Sequence, residues 1–236
     1  MTIDTAFLVC AGLGTRMKPL TDTCPKCLVP LNGRPVLDYV FDYLRKTDVK
    51  NVTVNTHHLP QEMRNYLATI TDFTITESHE PVLLETGGGL VKALPTLGQK
   101  PFFMINGDAF WVDNATNTLQ HLAQQFDAAK MDILLCLTPV SRMNLTQGVG
   151  DYDILPDGQI RRNLNKQGTH MFTGLRVMRP EIMNGFPEEK FSFLKNMDAA
   201  EAAGRLYGYT MGGDWHHIST PDDLQRVEAN TTAPLH

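Results

Sequence analysis

An apolar run that stops on two closely spaced glycines leaves few folds open to a chain. Ala6-Phe7-Leu8-Val9 reads as a buried strand, and Ala11-Gly12-Leu13-Gly14 follows it. Two glycines in three positions let the backbone turn sharply and lie close to a ligand. Backbone N–H groups at such a turn attract phosphate. Thr15 and Arg16 come next, and Lys26 stands between Pro25 and Pro30. The stretch Ala11–Arg16, with Lys26, therefore reads as a cradle for a triphosphate. Two familiar glycine-rich loops do not fit it. The dinucleotide fingerprint needs a small residue where this chain has Met17, and the Gly-Lys-Ser/Thr of a Walker A loop does not occur.

Beyond the loop, strand-like and helix-like stretches alternate. Helical spacing of Val36, Leu37, Val40, Phe41 and Leu44 predicts a helix over 34–46, and a second is expected over 59–70. Further helices are expected over 87–97 and 117–129. Strands are expected over 51–55, 73–77, 101–105 and 132–138. This alternation predicts a Rossmann-like α/β fold: a doubly wound, mostly parallel sheet with helices on both faces. Ligands of such sheets bind beyond the carboxyl ends of the strands, where the Gly12 loop and Asp108 both fall. After about residue 140 the pattern changes. A hairpin over 151–161 turns at Asp157-Gly158, and strands are expected over 170–178 and 205–211. A helix lies within 191–204, and Ser219-Thr220-Pro221 opens a closing helix over 221–229. We read residues 1–236 as one domain with two halves, 1–140 and 141–236.

Composition narrows the function classes. Net charge is −5 and no basic run is longer than Arg161-Arg162, which argues against a nucleic-acid partner. No apolar run reaches the roughly 20 residues that span a bilayer, and the N-terminus has no leader pattern. A cytoplasmic protein without a membrane partner is the expectation, as a monomer or small homo-oligomer. Cys24-Pro25-Lys26-Cys27 is a C-x-x-C with no second ligand pair, so its thiols are read as flanking Lys26 rather than holding zinc.

The longer pattern carries a resemblance. Gly12-Leu13-Gly14-Thr15-Arg16-Met17-Lys18-Pro19-Leu20-Thr21, then Pro25-Lys26 and Leu28-Val29-Pro30, resembles the signature of the sugar-1-phosphate nucleotidyltransferases. Leu84-Glu85-Thr86-Gly87-Gly88-Gly89, Asn106-Gly107-Asp108, Phe172-Thr173-Gly174 and the segment Trp215 to Leu224 follow in the family's order. Within the family, the first two of these are most similar to the N-acetylmuramate 1-phosphate uridylyltransferases. The resemblance implies an enzyme that joins a nucleoside triphosphate, by preference UTP, to a sugar 1-phosphate and releases pyrophosphate. Mannose 1-phosphate with GTP and a phosphocholine-type acceptor with CTP are alternatives. A non-catalytic nucleotide-sugar sensor is a further one, of a different class.

The resemblance also distributes roles. Arg16 falls near the β- and γ-phosphates and Lys26 near the reacting phosphates. Asp108 would hold Mg²⁺ with phosphate oxygens, a suitable task for a carboxylate on an open turn after a strand. Glu85, Thr86, Gly87 and Gly88 would meet base and ribose. Asn106, Gly150, Asp151, Phe172, Thr173 and Gly174 would line the sugar side, a small β-rich part, with Arg162 and Asn163 in reach. One departure stands out: the family's Trp-x-Asp-x-Gly-Thr segment, source of a second metal carboxylate, is Trp215-His216-His217-Ile218-Ser219-Thr220 here. Imidazole is a poor Mg²⁺ ligand. His217 then holds a metal-bound water or favours Mn²⁺ or Co²⁺, or Asp214 replaces it after a shift, or catalysis is lost. His57-His58 reads as a solvated or helix-entry pair and is given no metal.

Overall fold

The computed structural model describes residues 2–231. In chain order the elements are β1 (Thr5–Val9), β2 (Pro30–Leu31), β3 (Arg34–Pro35), α1 (Val36–Arg45), β4 (Asn51–Thr56), α2 (Pro60–Leu67), β5 (Thr74–His79) and α3 (Glu85–Ala93). Then come β6 (Phe102–Asn106), β7 (Phe110–Val112), α4 (Thr118–Gln125), β8 (Ile133–Pro139), β9 (Tyr152–Ile154), β10 (Ile160–Arg162) and β11 (His170–Met178). The chain closes with α5 (Leu194–Ala202), β12 (Leu206–Thr210), β13 (Asp214–His216) and α6 (Pro221–Asn230).

The α/β fold expected from the sequence is present. β6, β1, β4 and β5 run parallel side by side. β8 and β12 form a second parallel pair. β11 lies antiparallel between β6 and β8 and joins the two groups. The β9–β10 hairpin extends the sheet at the N-terminal end of β11.

Alternation along the strands divides the core. Ala6, Leu8, Phe103 and Ile105 face α1, α2 and α4, meeting Leu37, Phe41, Met63 and Leu119. Phe7, Phe102 and Met104 face α3 and α5, meeting Leu90, Ala93, Met197 and Ala200. A strand buried on both faces reads as a continuous apolar run, as β1 does over 6–9 and β6 over 102–105. A third cluster sets Met17, Val29 and Leu31 against Phe110, Ile218, Leu224 and Val227. It fastens the segment carrying Arg16 and Lys26 to β7 and α6. Met17, which argued against the dinucleotide fingerprint, is buried there.

The parallel strands β1, β4, β5 and β6 end at one edge of the sheet. Val9, Thr56, His79 and Asn106 deliver the Gly12 loop, His57-His58, Glu80 and Asp108 to it. β11 runs the other way, so its first residues project past the end of β6. The Gly12 loop, His57-His58, Glu80, Asp108 and the start of β11 thus meet along one rim.

Candidate active site

The Gly12 loop is built from behind. Asn55, at the end of β4, accepts the amides of Cys10 at 2.6 Å and Ala11 at 3.3 Å through Oδ1. Its Nδ2 donates to Glu80 Oε1 at 2.8 Å. Glu80 is fully buried, and its Oε2 accepts the Leu84 amide at 2.9 Å. Gly14 takes φ 63°, a left-handed turn that suits glycine. The Thr21 hydroxyl donates to the Gly14 carbonyl at 2.9 Å, and His58 Nε2 donates to the Thr21 carbonyl at 2.8 Å. His57 Nδ1 donates to the Glu80 carbonyl at 2.7 Å. The two histidines enter α2 as expected, but they brace the loop rather than stand solvated.

With Cys10 and Ala11 tied down, the next amides are free. Among the described residues, the Gly12, Leu13 and Gly14 N–H groups donate to no protein acceptor. A side chain built on Gly12 would meet only open space. Such a row of free amides is a ready seat for phosphate oxygens. Thr15 and Arg16 are exposed beside it.

A small cavity of about 170 Å³ opens against the loop, lined by Gly12, Lys26, Thr86, Asn106 and Asp108 with Val9, Cys10 and Cys27. Lys26 Nζ donates to Asp108 Oδ2 at 2.5 Å. The pair is partly shielded, with the lysine side chain 18% and the aspartate 34% exposed. A charge-assisted bond in that setting fixes both groups. The Cys10 thiol lies against Cys27. That contact and burial push Cys10 well above its ordinary range, so it is no ready nucleophile.

His217 belongs to the same electrostatic neighbourhood. Burial lowers its pKa first, and the charges of Lys26 and Arg16 lower it further. Its ring stacks on Trp215 with centroids 5.6 Å apart. Among the described residues, no three His, Cys, Asp or Glu side chains cluster as a metal site. The donor set fits a Mg²⁺ held by one carboxylate, Asp108, and completed by phosphate oxygens and water. It does not fit a second carboxylate position.

A larger cavity of about 490 Å³ adjoins the first and shares Thr86 and Asn106 with it. Asp151, Arg162, Asn163, Phe172 and Arg176 line it, with Ser192 to Leu194 from the approach to α5. Asp151 binds Lys166 at 2.5 Å and accepts the Phe172 amide at 3.2 Å. Arg162 pairs with Asp198 at 3.2 Å, and Asn163 donates to Asp153 at 3.0 Å.

Several residues expected at the site do other work. Thr173 is buried, with its hydroxyl donated to the Cys136 carbonyl at 2.8 Å. Gly150 packs on Gly168, where a side chain would collide with the Gly168 carbonyl. Gly174, at φ +87°, leaves room for Asn106, which a β-carbon would crowd at 2.9 Å. Gly87 and Gly88 give their amides to the Phe191 carbonyl at 2.9 and 3.4 Å. Their missing side chains make space for the Phe191 ring and the Glu189 carbonyl. Those two glycines were expected to open the backbone to a base; here packing is the reason for them. Glu85 is exposed at the start of α3 and pairs with Lys190 at 3.6 Å. Of that segment, Thr86 is the residue that reaches the cavities.

Sequence reading missed Asn55, Glu80 and Arg176. The first two are single polar residues with no motif about them. Arg176 did leave a signal: a charge in the middle of the apolar run Leu175-Arg176-Val177-Met178.

Comparisons with known proteins bear on this arrangement. The model of the MobA-like NTP transferase domain family matches residues 6–177. The chain is 30% identical over 230 residues to N-acetylmuramate alpha-1-phosphate uridylyltransferase of Caulobacter vibrioides, covering 95% of each chain. It is 27% identical over 228 residues to the protein of the same name from Neisseria meningitidis, covering 95% of this chain and 96% of the relative. The fold matches the crystal structure of HddC from Yersinia pseudotuberculosis complexed with GMP-PN, with a TM-score of 0.76 and 20% identity over 96% of this chain and 99% of that one. With matches of this extent, the chain belongs to the MobA-like NTP transferase family and is an enzyme of its sugar-1-phosphate nucleotidyltransferase kind.

Proposed function

We propose that the protein transfers a uridylyl group from UTP to N-acetylmuramate 1-phosphate, forming a nucleotide sugar and pyrophosphate, in the cytoplasm and without nucleic-acid or membrane partners. The choice of UTP and of the muramate sugar draws support from the two uridylyltransferase relatives. Among the described residues, no helix is long and apolar enough to cross a membrane.

The carrying observation is the pair of adjoining cavities. The smaller is bounded by the Gly12 loop, Lys26 and Asp108, from the half up to residue 140. The larger draws most of its wall from residues 151–197. Thr86 and Asn106 stand at the junction of the two. Two anions must approach each other there, so alignment and charge neutralisation govern the rate. The loop amides take phosphate oxygens of the triphosphate. Lys26 faces the α-phosphate, where charge builds as the sugar phosphate oxygen attacks in line and pyrophosphate leaves. Asp108 holds Lys26 in place and would hold Mg²⁺, which neutralises phosphate charge when bound. Neutral His217, without an oxygen donor, offers no second ligand of the usual kind.

Pyrophosphate release tests this reading over a matrix of UTP, GTP and CTP against muramate, glucosamine and mannose 1-phosphates, with Mg²⁺, Mn²⁺ or EDTA. The expected result is turnover of UTP with the muramate phosphate, lost in EDTA and in Asp108→Asn. Retained activity in Asp108→Asn would refute the role of that carboxylate. Another productive pair would replace the substrates. Silence across the matrix with nucleotide-sugar binding intact would mark a sensor.

A further inference from the structure

Arg176 is the one cation of the larger cavity without an anionic partner among the described residues. It is 3% exposed. It sits in mid-β11 opposite Met104 and points to the α3/α5 side, among Phe102, Met104 and Met178. Burial pulls its pKa down to about 9, so the folded protein holds the charge at a cost. Nε has no partner, and the best contact of the head is Nη2 to Asn106 Oδ1 at 3.5 Å, the limit of hydrogen bonding. The rings of Phe172 and Phe193 lie 5.1 and 4.9 Å from the guanidinium carbon. They flank the head but accept none of its N–H groups in the plane, so apart from the long Asn106 contact its donors have no protein acceptor among the described residues. Arg162 and Lys166, the other cations lining the cavity, are already paired with Asp198 and Asp151.

A buried cation without a protein anion, lining an open cavity, calls for an anion from the ligand. The reacting phosphates have their own place: Gly12, Lys26 and Asp108 line the small cavity and Arg176 does not. The anion left for Arg176 is therefore a second one, carried on the sugar itself. A guanidinium fork matches a carboxylate with two parallel N–H···O bonds. We infer that Arg176 is the specificity-determining residue of this enzyme and reads a carboxylate on the sugar of the sugar 1-phosphate, an inference that rests on the proposed sugar-phosphate chemistry of the cavity. N-acetylmuramate carries such a carboxylate and N-acetylglucosamine lacks it.

The test compares kcat/KM for N-acetylmuramate 1-phosphate and N-acetylglucosamine 1-phosphate in the parent, Arg176→Met and Arg176→Lys. Arg176→Met replaces an unpaired buried charge with an apolar chain of similar length, so it should fold at least as well. We expect it to lose on the order of 100-fold with the muramate substrate and nothing with the neutral one, mostly through KM, with partial recovery in Arg176→Lys. Equal losses on both sugars would mean that Arg176 holds the 1-phosphate. No loss on either would make it a packing residue. Both outcomes overturn the inference. If the parent turns over neither sugar, the functional reading falls on its own. The melting shift given by unphosphorylated N-acetylmuramate over N-acetylglucosamine then decides: a shift in the parent that Arg176→Met abolishes upholds the inference, and none in the parent overturns it.

Discussion

Lys26 and Asp108 stand 82 positions apart in the chain and meet in one charge-assisted hydrogen bond. Removing the lysine leaves the Asp108 carboxylate unopposed, and on the proposed chemistry that charge would face the phosphates. Lys26→Ala should therefore lower kcat on the order of 100-fold while the KM for the nucleotide moves far less; equal effects on both would remove its transition-state role. His170, at the start of β11, bears on stability instead. Burial lowers its pKa below the ordinary 6.5, Arg142 reinforces the shift and Asp153 opposes it. Below pH 6.5 the unfolded chain takes up a proton that the folded chain resists, so stability falls as the pH drops through that value. His170→Gln should narrow the gap between urea midpoints at about pH 7 and about pH 5. An unchanged gap would assign the acid sensitivity elsewhere, His216 and His217 being lowered for the same first cause.

At the scale of elements, the start of α6 shows how local sequence fixes a helix end. The Thr220 hydroxyl accepts the Asp223 amide at 3.2 Å, and Asp223 Oδ2 accepts the Thr220 amide at 3.0 Å, a closed capping box. Asp223 Oδ2 also takes the Ser219 amide and hydroxyl, and Oδ1 takes Arg226. Burial pushes the carboxyl up, but these donors win and hold it at about 2. A depressed carboxylate adds stability above its unfolded 3.8 and loses it as the pH falls toward 2. Asp223→Ala should cost about 2 kcal/mol near neutral pH, and the difference should shrink in acid; a constant difference across denaturant melts would refute the linkage. Elements of this kind were legible. The spacing placed α1, α6 and β11 to within two residues of their observed ends, because apolar runs are bounded by Pro, Gly and caps. β2, β3, β7 and β13, of two or three residues each, were not, since so short a strand leaves no period.

For the whole molecule, the sequence disclosed the layers and the rim but not the order of the strands. Alternating apolar stretches dictate an α/β sheet, and ligand segments after strands gather at one edge. Which strand lies beside which depends on pairings between distant residues that no window contains. The same limit hid the site's supports: Asn55 reaches Cys10 across 45 residues, and Glu80 reaches Asn55 across 25. The glycines of the Glu85 segment were visible, while their partner, the Phe191 region, was not. β11 is a late stretch of chain, yet it fills the gap between β6 and β8. Both flanking strands precede it in the chain, so until it is made β6 has one open edge and β8, whose other partner β12 comes later still, has two, each a template for a neighbouring nascent chain. The enzyme's yield in a cell should therefore depend on how quickly residues 170–178 emerge, and on any chaperone that covers that gap meanwhile.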